Sequence, residues 1–172
     1  MKENRYDDNT FFQKYSQMNR SQQGLSGAGE WETLKKMLPD FKGTHVLDLG
    51  CGYGWHCIYA MENDASVVVG VDISHKMLET AKEKTHFPQI KYECCAIEDV
   101  DFPAESFDII LSSLALHYVE DYETLIKKTY KMLKFGGNLV FTVEHPIFTA
   151  YGTQDWYYNG KGEIMHFPVD NY

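Results

Sequence analysis

Ten consecutive residues constrain this chain more than any others: Val46-Leu47-Asp48-Leu49-Gly50-Cys51-Gly52-Tyr53-Gly54-Trp55. Val46, Leu47 and Leu49 make an apolar run that ends in a glycine-rich turn, and a helix-like stretch follows from Trp55 to Met61. Strand, glycine turn and helix in succession bring bare backbone up to a small ligand in an α/β fold. Glycine tolerates positive φ and lets a ligand approach closely. The N–H groups that open the helix have no intrahelical acceptor and face the same pocket.

Spacing narrows the ligand. A dinucleotide-binding G-x-G-x-x-G would put its third glycine at position 55, which holds Trp55, too large for a close helix–strand contact. The pattern here is Asp48-x-Gly50-x-Gly52-x-Gly54. An acid at the strand end suits a cationic ligand and opposes a pyrophosphate. A second apolar strand, Val67-Val68-Val69-Gly70-Val71, closes on Asp72, 22 positions past Gly50. That is about where a ribose-binding acid belongs. The ligand implied has a ribose and a cationic end and lacks a pyrophosphate. S-adenosylmethionine, with positive sulfonium and ammonium groups, meets that description. An NAD(P)-dependent oxidoreductase on a related fold is the rival reading, and Trp55 and Asp48 argue against it.

The chain resembles a class I S-adenosylmethionine-dependent methyltransferase, of the small-molecule group often labelled type 11. The resemblance covers residues 44 to 144 and rests on five pieces in order. They are Val46 to Gly54; Gly70-Val71-Asp72-Ile73-Ser74 with Met77-Leu78; Phe107-Asp108-Ile109-Ile110; Leu116-His117-Tyr118-Val119; and Leu133-Lys134-Phe135-Gly136-Gly137. Any one is weak alone; together at these spacings they are specific.

The resemblance implies roles. Gly50 and Gly52, with Cys51 between them, would receive the methionine end of S-adenosylmethionine, and Asp48 would face its ammonium. Asp72 would hold the ribose, and Ile73 and Met77 would pack near the adenine. Similar enzymes often open the loop after the third strand with an Asp that meets the adenine amino group. Ala96 stands there in this chain, so the Ile97 backbone with Glu98 is the expected replacement. Ser113 and Leu114 would line the cofactor near its sulfur. An aromatic N-terminal helix closes over the methionine end in related enzymes, which makes Tyr15 a candidate contact. His117 either packs near the site or acts as the general base. Glu144-His145-Pro146 is a second candidate acceptor-binding constellation, with His145 the other candidate base. Family members continue for two more strands after the fifth, so the chain reads as truncated. Cofactor binding without transfer is the alternative this raises, and an uncapped fifth strand would favour a homodimer.

Composition bounds the rest. A length of 172 residues with 44% hydrophobic residues suits one soluble domain. A net charge of −9 argues against a nucleic-acid partner. No basic segment leads into an apolar stretch, and no apolar run is long enough to span a bilayer, so the expectation is a cytoplasmic protein without a membrane partner. The four cysteines form no C-x-x-C pair and read as reduced thiols. His45, His56, His75, His86 and His166 show no metal-ligand spacing.

Three regions are expected. Residues 1–43 form a helical cap: Met1 to Asn9 frays, Thr10 to Arg20 is an amphipathic helix, Ser21 to Gly29 is a mobile connection, and Glu30 to Leu38 is a helix stopped by Pro39. Residues 44–146 form a Rossmann-like core, a mainly parallel, doubly wound sheet with helices on both faces. Its strands are 44–49, 67–71, 90–94, 107–113 and 138–144. Helices fill 55–63, 75–84 and 122–133, and Gly136-Gly137 turns the chain into the last strand. Residues 147–172 form a substrate-side insertion, with a hairpin turning near Asn159-Gly160.

Overall fold

The computed structural model describes residues 4–148 and 155–169. The residues 149–154 and 170–172 of the expected insertion lie outside the described residues. The chain divides into two compact units, Met1–Thr142 and Val143–Tyr172.

The first unit is built on β1 (His45–Leu49), β2 (Val67–Asp72), β3 (Ile90–Cys94), β4 (Phe107–Ser113) and β5 (Leu133–Thr142). Their order is β3-β2-β1-β4-β5, and every pairing is parallel. The chain runs outward from β1 through β2 to β3, then returns to the other side of β1 for β4 and β5. The direction of winding therefore reverses between β1 and β4, where such sheets open a crevice at their carboxyl ends.

Alternation along the strands builds two cores. Val46, Val68 and Ile109 are in register and point to one face, where Cys57, Ala60 and Leu78 meet them. Those partners come from α4 (Trp55–Glu62) and α5 (His75–Lys84). Leu47, Val69 and Ile110 point the other way and pack with Phe107 and Met132, the last from α6 (Tyr122–Met132). Successive side chains of a strand face opposite sides, so strands covered on both faces need unbroken apolar runs.

Gly136 and Gly137 were expected to precede the fifth strand. Pairing instead begins at Leu133 opposite Phe107, and the next partners are Ile109 and Asn138. The extra residues bulge out around Gly136, whose φ is 79°. β5 is an edge of the sheet.

The N-terminal cap belongs to the same unit. The single helix expected over 10–20 is two, α1 (Asn9–Ser16) and α2 (Asn19–Gln22), parted at Met18, which is extended. The Ser21 hydroxyl donates to the Tyr15 carbonyl at 2.6 Å and the Ser21 N–H to Met18 O at 2.9 Å, which closes the chain into a turn. The connection through Gly29 is ordered: α2 leads into a 3-10 turn, Gly24–Gly27, before α3 (Trp31–Met37).

In the second unit, β6 (Tyr157–Tyr158) pairs antiparallel with β7 (Ile164–His166). Asn159 organises the hairpin turn: its Oδ1 accepts from the N–H groups of Lys161 at 2.9 Å and Glu163 at 3.0 Å. No described helix is long and apolar enough to cross a membrane.

Candidate functional site

The turn after β1 is pinned before it reaches its open end. Gly50 and Cys51 both donate to the Val71 carbonyl, at 2.8 and 2.9 Å. Gly50 adopts φ 77°, and a Cβ there would collide with the Cβ of Ala115 and touch Ile97 at 3.4 Å. The loops after β1, β3 and β4 therefore converge on Gly50. Gly54 is closed in the same way by Tyr92. Gly52 differs: its φ is 52° and a Cβ would meet nothing within 4 Å. Open space over a glycine in a turn at the switch point is room for a ligand.

Two buried acids stand near the carboxyl ends of β2 and β1, Asp72 and Asp48. Asp72 Oδ2 accepts the Gly52 N–H at 2.9 Å and Oδ1 accepts the Ser74 N–H at 2.9 Å. The carboxylate thus ties the glycine turn to the start of α5; the Ile73 amide is a third backbone donor to it, and acceptor capacity remains for a further donor. Burial pushes its pKa up, against the pull of the Ser74 and Gly52 amides. Asp48 is 1% exposed. Its Oδ2 accepts the Cys57 thiol at 3.4 Å, while Oδ1 is buried with no partner. Burial pushes this carboxyl up to about 7, with the Cys57 thiol opposing and the Asp72 charge adding to the rise. A buried carboxylate oxygen without a donor is costly unless a ligand supplies one.

Cys51, expected at the cofactor, turns its side chain into the protein. A Cβ on Gly70 would lie 2.9 Å from the sulfurs of both Cys51 and Cys57. The close helix–strand contact denied to position 55 is made here, at Gly70. Burial raises the Cys51 thiol to about 11 and the Cys57 thiol well above its ordinary range, so both stay protonated. Trp55 does not cover the turn; its ring lies on Gly24, with Lys84 Nζ 5.0 Å from its centroid.

The rim comes from the other loops. Ile73 follows Asp72, and Met77 is buried at 2% exposure with its N–H on the Ser74 hydroxyl. Ala96 is buried and leads the 3-10 turn Ile97–Asp99, and the Glu98 carbonyl accepts from Lys128 Nζ at 2.6 Å. At the end of β4, Ser113 Oγ lies 3.1 Å from Thr142 Oγ1 and 3.3 Å from Glu30 Oε1. Leu114 holds φ 52°, a left-handed conformation unusual for leucine, fixed by its N–H on the Thr142 carbonyl at 2.9 Å. Such outliers concentrate at ligand sites. His117 lies on the next 3-10 turn, Leu116–Tyr118, its ring 4.3 Å from that of Tyr118. His145 belongs to the second unit, where its Nδ1 accepts the Ile147 N–H at 3.2 Å.

The N-terminal arm lies across the rim. Residues 4–9, expected to fray, dock instead. Asp7 accepts the Ser74 hydroxyl at 2.6 Å, and Lys76 Nζ reaches back to the Asp7 carbonyl at 2.7 Å. The Tyr15 ring packs edge-on against Tyr53 of the glycine turn at 5.7 Å and against Tyr6 at 5.4 Å. Tyr6 Oη is 3.5 Å from Tyr118 Oη. Burial raises the pKa of both Tyr6 and Tyr15. The arm also brings in a cation that motif reading missed: Arg20 pairs with Glu30, the residue that also meets Ser113. Nearby His56 is pulled down by burial to about 4 and stays neutral, with Glu30 opposing the shift.

An open glycine turn at the switch point of a parallel sheet, with a ribose-suited acid on the next strand, defines a nucleoside-binding α/β protein. A family model for the methyltransferase domain matches residues 47–141. Among solved structures, a protein from Listeria monocytogenes assigned as an S-adenosylmethionine dependent methyltransferase shares 53% identity at a TM-score of 0.79, over 83% of this chain and 67% of that one. An S-adenosylmethionine dependent methyltransferase from Mesorhizobium loti shares 42% at 0.77, over 86% and 67%. A ubiquinone biosynthesis O-methyltransferase from Coxiella burnetii is 38% identical over 64% of this chain and 47% of its own length. The chain thus spans about half the length of that curated relative. This chain belongs to the class I S-adenosylmethionine-dependent methyltransferases.

Proposed function

We propose that this chain binds S-adenosylmethionine over the glycine turn and directs its methyl group to a small-molecule acceptor by direct displacement. The observation that carries the reading is Asp72, whose two oxygens hold the turn and α5 and keep acceptor capacity for the ribose. The partnerless Asp48 oxygen suits a cationic end, directly or through water, and does not suit a dinucleotide's pyrophosphate. Arg20 is the cation placed to meet the carboxylate of the methionine end, exchanging with Glu30.

Bound S-adenosylmethionine supplies an electrophilic methyl group on a good leaving sulfur. The protein's part is alignment and exclusion of water. Gly52 gives the backbone access, Asp72 fixes the sugar, and Tyr15 closes the side facing the arm. The Coxiella relative is named as an O-methyltransferase. A hydroxyl acceptor must lose a proton, and His117, on the turn after β4, is the first candidate base, with His145 the second. The net charge of −9 favours a small acceptor over a nucleic acid.

Calorimetry with S-adenosylmethionine and S-adenosylhomocysteine tests the cofactor; absence of saturable binding to either would overturn the reading. A radiolabelled methyl-transfer assay across phenols, carboxylic acids and amines tests the reaction. Because the chain covers about half of the Coxiella relative, cofactor binding without transfer is the second reading. Binding that persists while no acceptor is methylated would select it.

A further inference from the structure

Asn4 holds an unmet acceptor beside the cofactor site. Its Nδ2 donates to the Ile73 carbonyl at 3.2 Å and to Asp7 Oδ2 at 2.7 Å. A carbonyl and an ionised carboxylate only accept, so the amide has one orientation and its other atom is the oxygen. That oxygen, Oδ1, is buried and has no hydrogen-bond partner. It is anchored to the carbonyl of the residue that follows Asp72, at the mouth of β2.

The nucleoside half of S-adenosylmethionine carries few donors: the two ribose hydroxyls and the exocyclic amino group of adenine. The acceptor capacity left on Asp72 is assigned to the ribose. The amino group still needs an acceptor. On the neighbouring loop after β3, Ala96 and Ile97 have no polar side-chain atom, the Ile97 carbonyl accepts the Val100 N–H at 3.4 Å, and Glu98 gives its carbonyl to Lys128 Nζ at 2.6 Å, which leaves its carboxylate as the rival acceptor. Asn4 Oδ1, held on the Ile73 carbonyl, is the buried acceptor left without a partner at the mouth of β2.

We infer that Asn4 Oδ1 accepts a hydrogen bond from the exocyclic amino group of the cofactor's adenine, so the N-terminal arm selects the base. This rests on the cofactor reading above. A 6-oxo base presents an acceptor in place of the amino group and would face Asn4 oxygen to oxygen.

The test is calorimetry on the 172-residue chain with S-adenosylhomocysteine and S-inosylhomocysteine, for wild type, Asn4→Ala and Asp7→Ala. Wild type should prefer the adenine compound. Asn4→Ala should lose about tenfold in affinity for it, the scale of one neutral hydrogen bond, and little for the inosine compound, so the preference collapses. Asp7→Ala takes away the carboxylate that orients the Asn4 amide and docks the arm, so it should weaken the adenine compound more than the inosine compound, in the same direction as Asn4→Ala. An Asn4→Ala chain that keeps the wild-type preference, or loses both compounds alike, makes Asn4 a strut and overturns the inference. If wild type binds neither compound, the cofactor reading itself falls. Thermal melting of each variant confirms that the sheet is intact.

Discussion

The Ser74 hydroxyl donates to Asp7 Oδ1 at 2.6 Å while accepting the Met77 N–H at 3.2 Å. One side chain therefore caps α5 and latches the N-terminal arm to it. Lys76 strengthens the latch through the Asp7 carbonyl at 2.7 Å and Asn9 Oδ1 at 2.6 Å. Burial pushes the Asp7 carboxyl up, but the Ser74 hydroxyl and the Lys76 amide more than reverse it, leaving it below the usual range. The latch is thus whole above the ordinary carboxylate range and is lost as pH falls below that range through the lowered folded value. Asp7→Ala should cost about 1 kcal/mol, or about 2–4 °C in melting temperature. Hydrogen exchange should quicken at residues 5–16 and stay unchanged in β1 and β4. Unchanged exchange in the arm would show that the latch does not hold it.

Asp72 joins the two motifs that face the ligand, and its removal should separate folding from binding. Asp72→Ala leaves the Gly52 and Ser74 amides without their acceptor and removes both oxygens meant for ribose. Affinity for S-adenosylhomocysteine should fall about a hundredfold or more, the scale of two hydrogen bonds to a charged group. Far-ultraviolet circular dichroism should stay close to wild type, since the strands beneath are held by apolar packing. Unchanged affinity would remove the ribose assignment.

What the sequence disclosed follows from how local each signal is. The runs 67–71 and 107–113 could be read as buried strands because apolar character alone specifies a strand covered on both faces. The Ser74 cap was equally legible, since it needs only its own next turn. The docked arm was not. Asn4 and Asp7 meet partners 69 and 67 positions away, and a polar, charged end looks frayed without them. The split at Met18 depends on Ser21 reaching back to Tyr15, which helical periodicity does not report. The close helix–strand contact that Trp55 is too large to make lies at Gly70. A glycine interrupting a valine run was its signal, because such a residue marks close backbone approach. The Arg20–Glu30 pair carries no motif at all; only the fold brings it to Ser113.

The Asp48 carboxyl should make cofactor affinity depend on pH. Burial raises it to about 7, against an unfolded value near the ordinary aspartate range. In the ligand-free protein its stabilising contribution is fully present below that ordinary range and is lost as pH rises through about 7. A cationic ligand has the opposite preference, since it needs the ionised carboxylate. Affinity for S-adenosylmethionine should therefore rise as pH climbs through about 7 and then level off, with a proton released on binding below that point. Asp48→Asn should bind more weakly above the transition and show a flat profile across it. Calorimetry in two buffers of different ionisation enthalpy counts the proton. A wild-type profile that is already flat would mean that Asp48 is ionised before the ligand arrives.

Gly50 and Gly52 both adopt positive φ, at 77° and 52°, yet they should fail differently when given a side chain. Alanine in a left-handed conformation costs about 1–2 kcal/mol at either position. At position 50 the new methyl also runs into Ala115, whose backbone leads into the turn after β4. Gly50→Ala must therefore shift the contact that gathers three loops, and it should lose stability beyond the conformational cost, by about 1–3 kcal/mol more. At position 52 the methyl enters open space and touches nothing in the protein. Gly52→Ala should melt only a few degrees below wild type while losing most of its affinity for S-adenosylhomocysteine, because the methyl occupies the volume the ligand needs. Thermal melts paired with calorimetry on the two variants separate the cases. If Gly52→Ala binds as tightly as wild type, the ligand does not lie over that face of the turn.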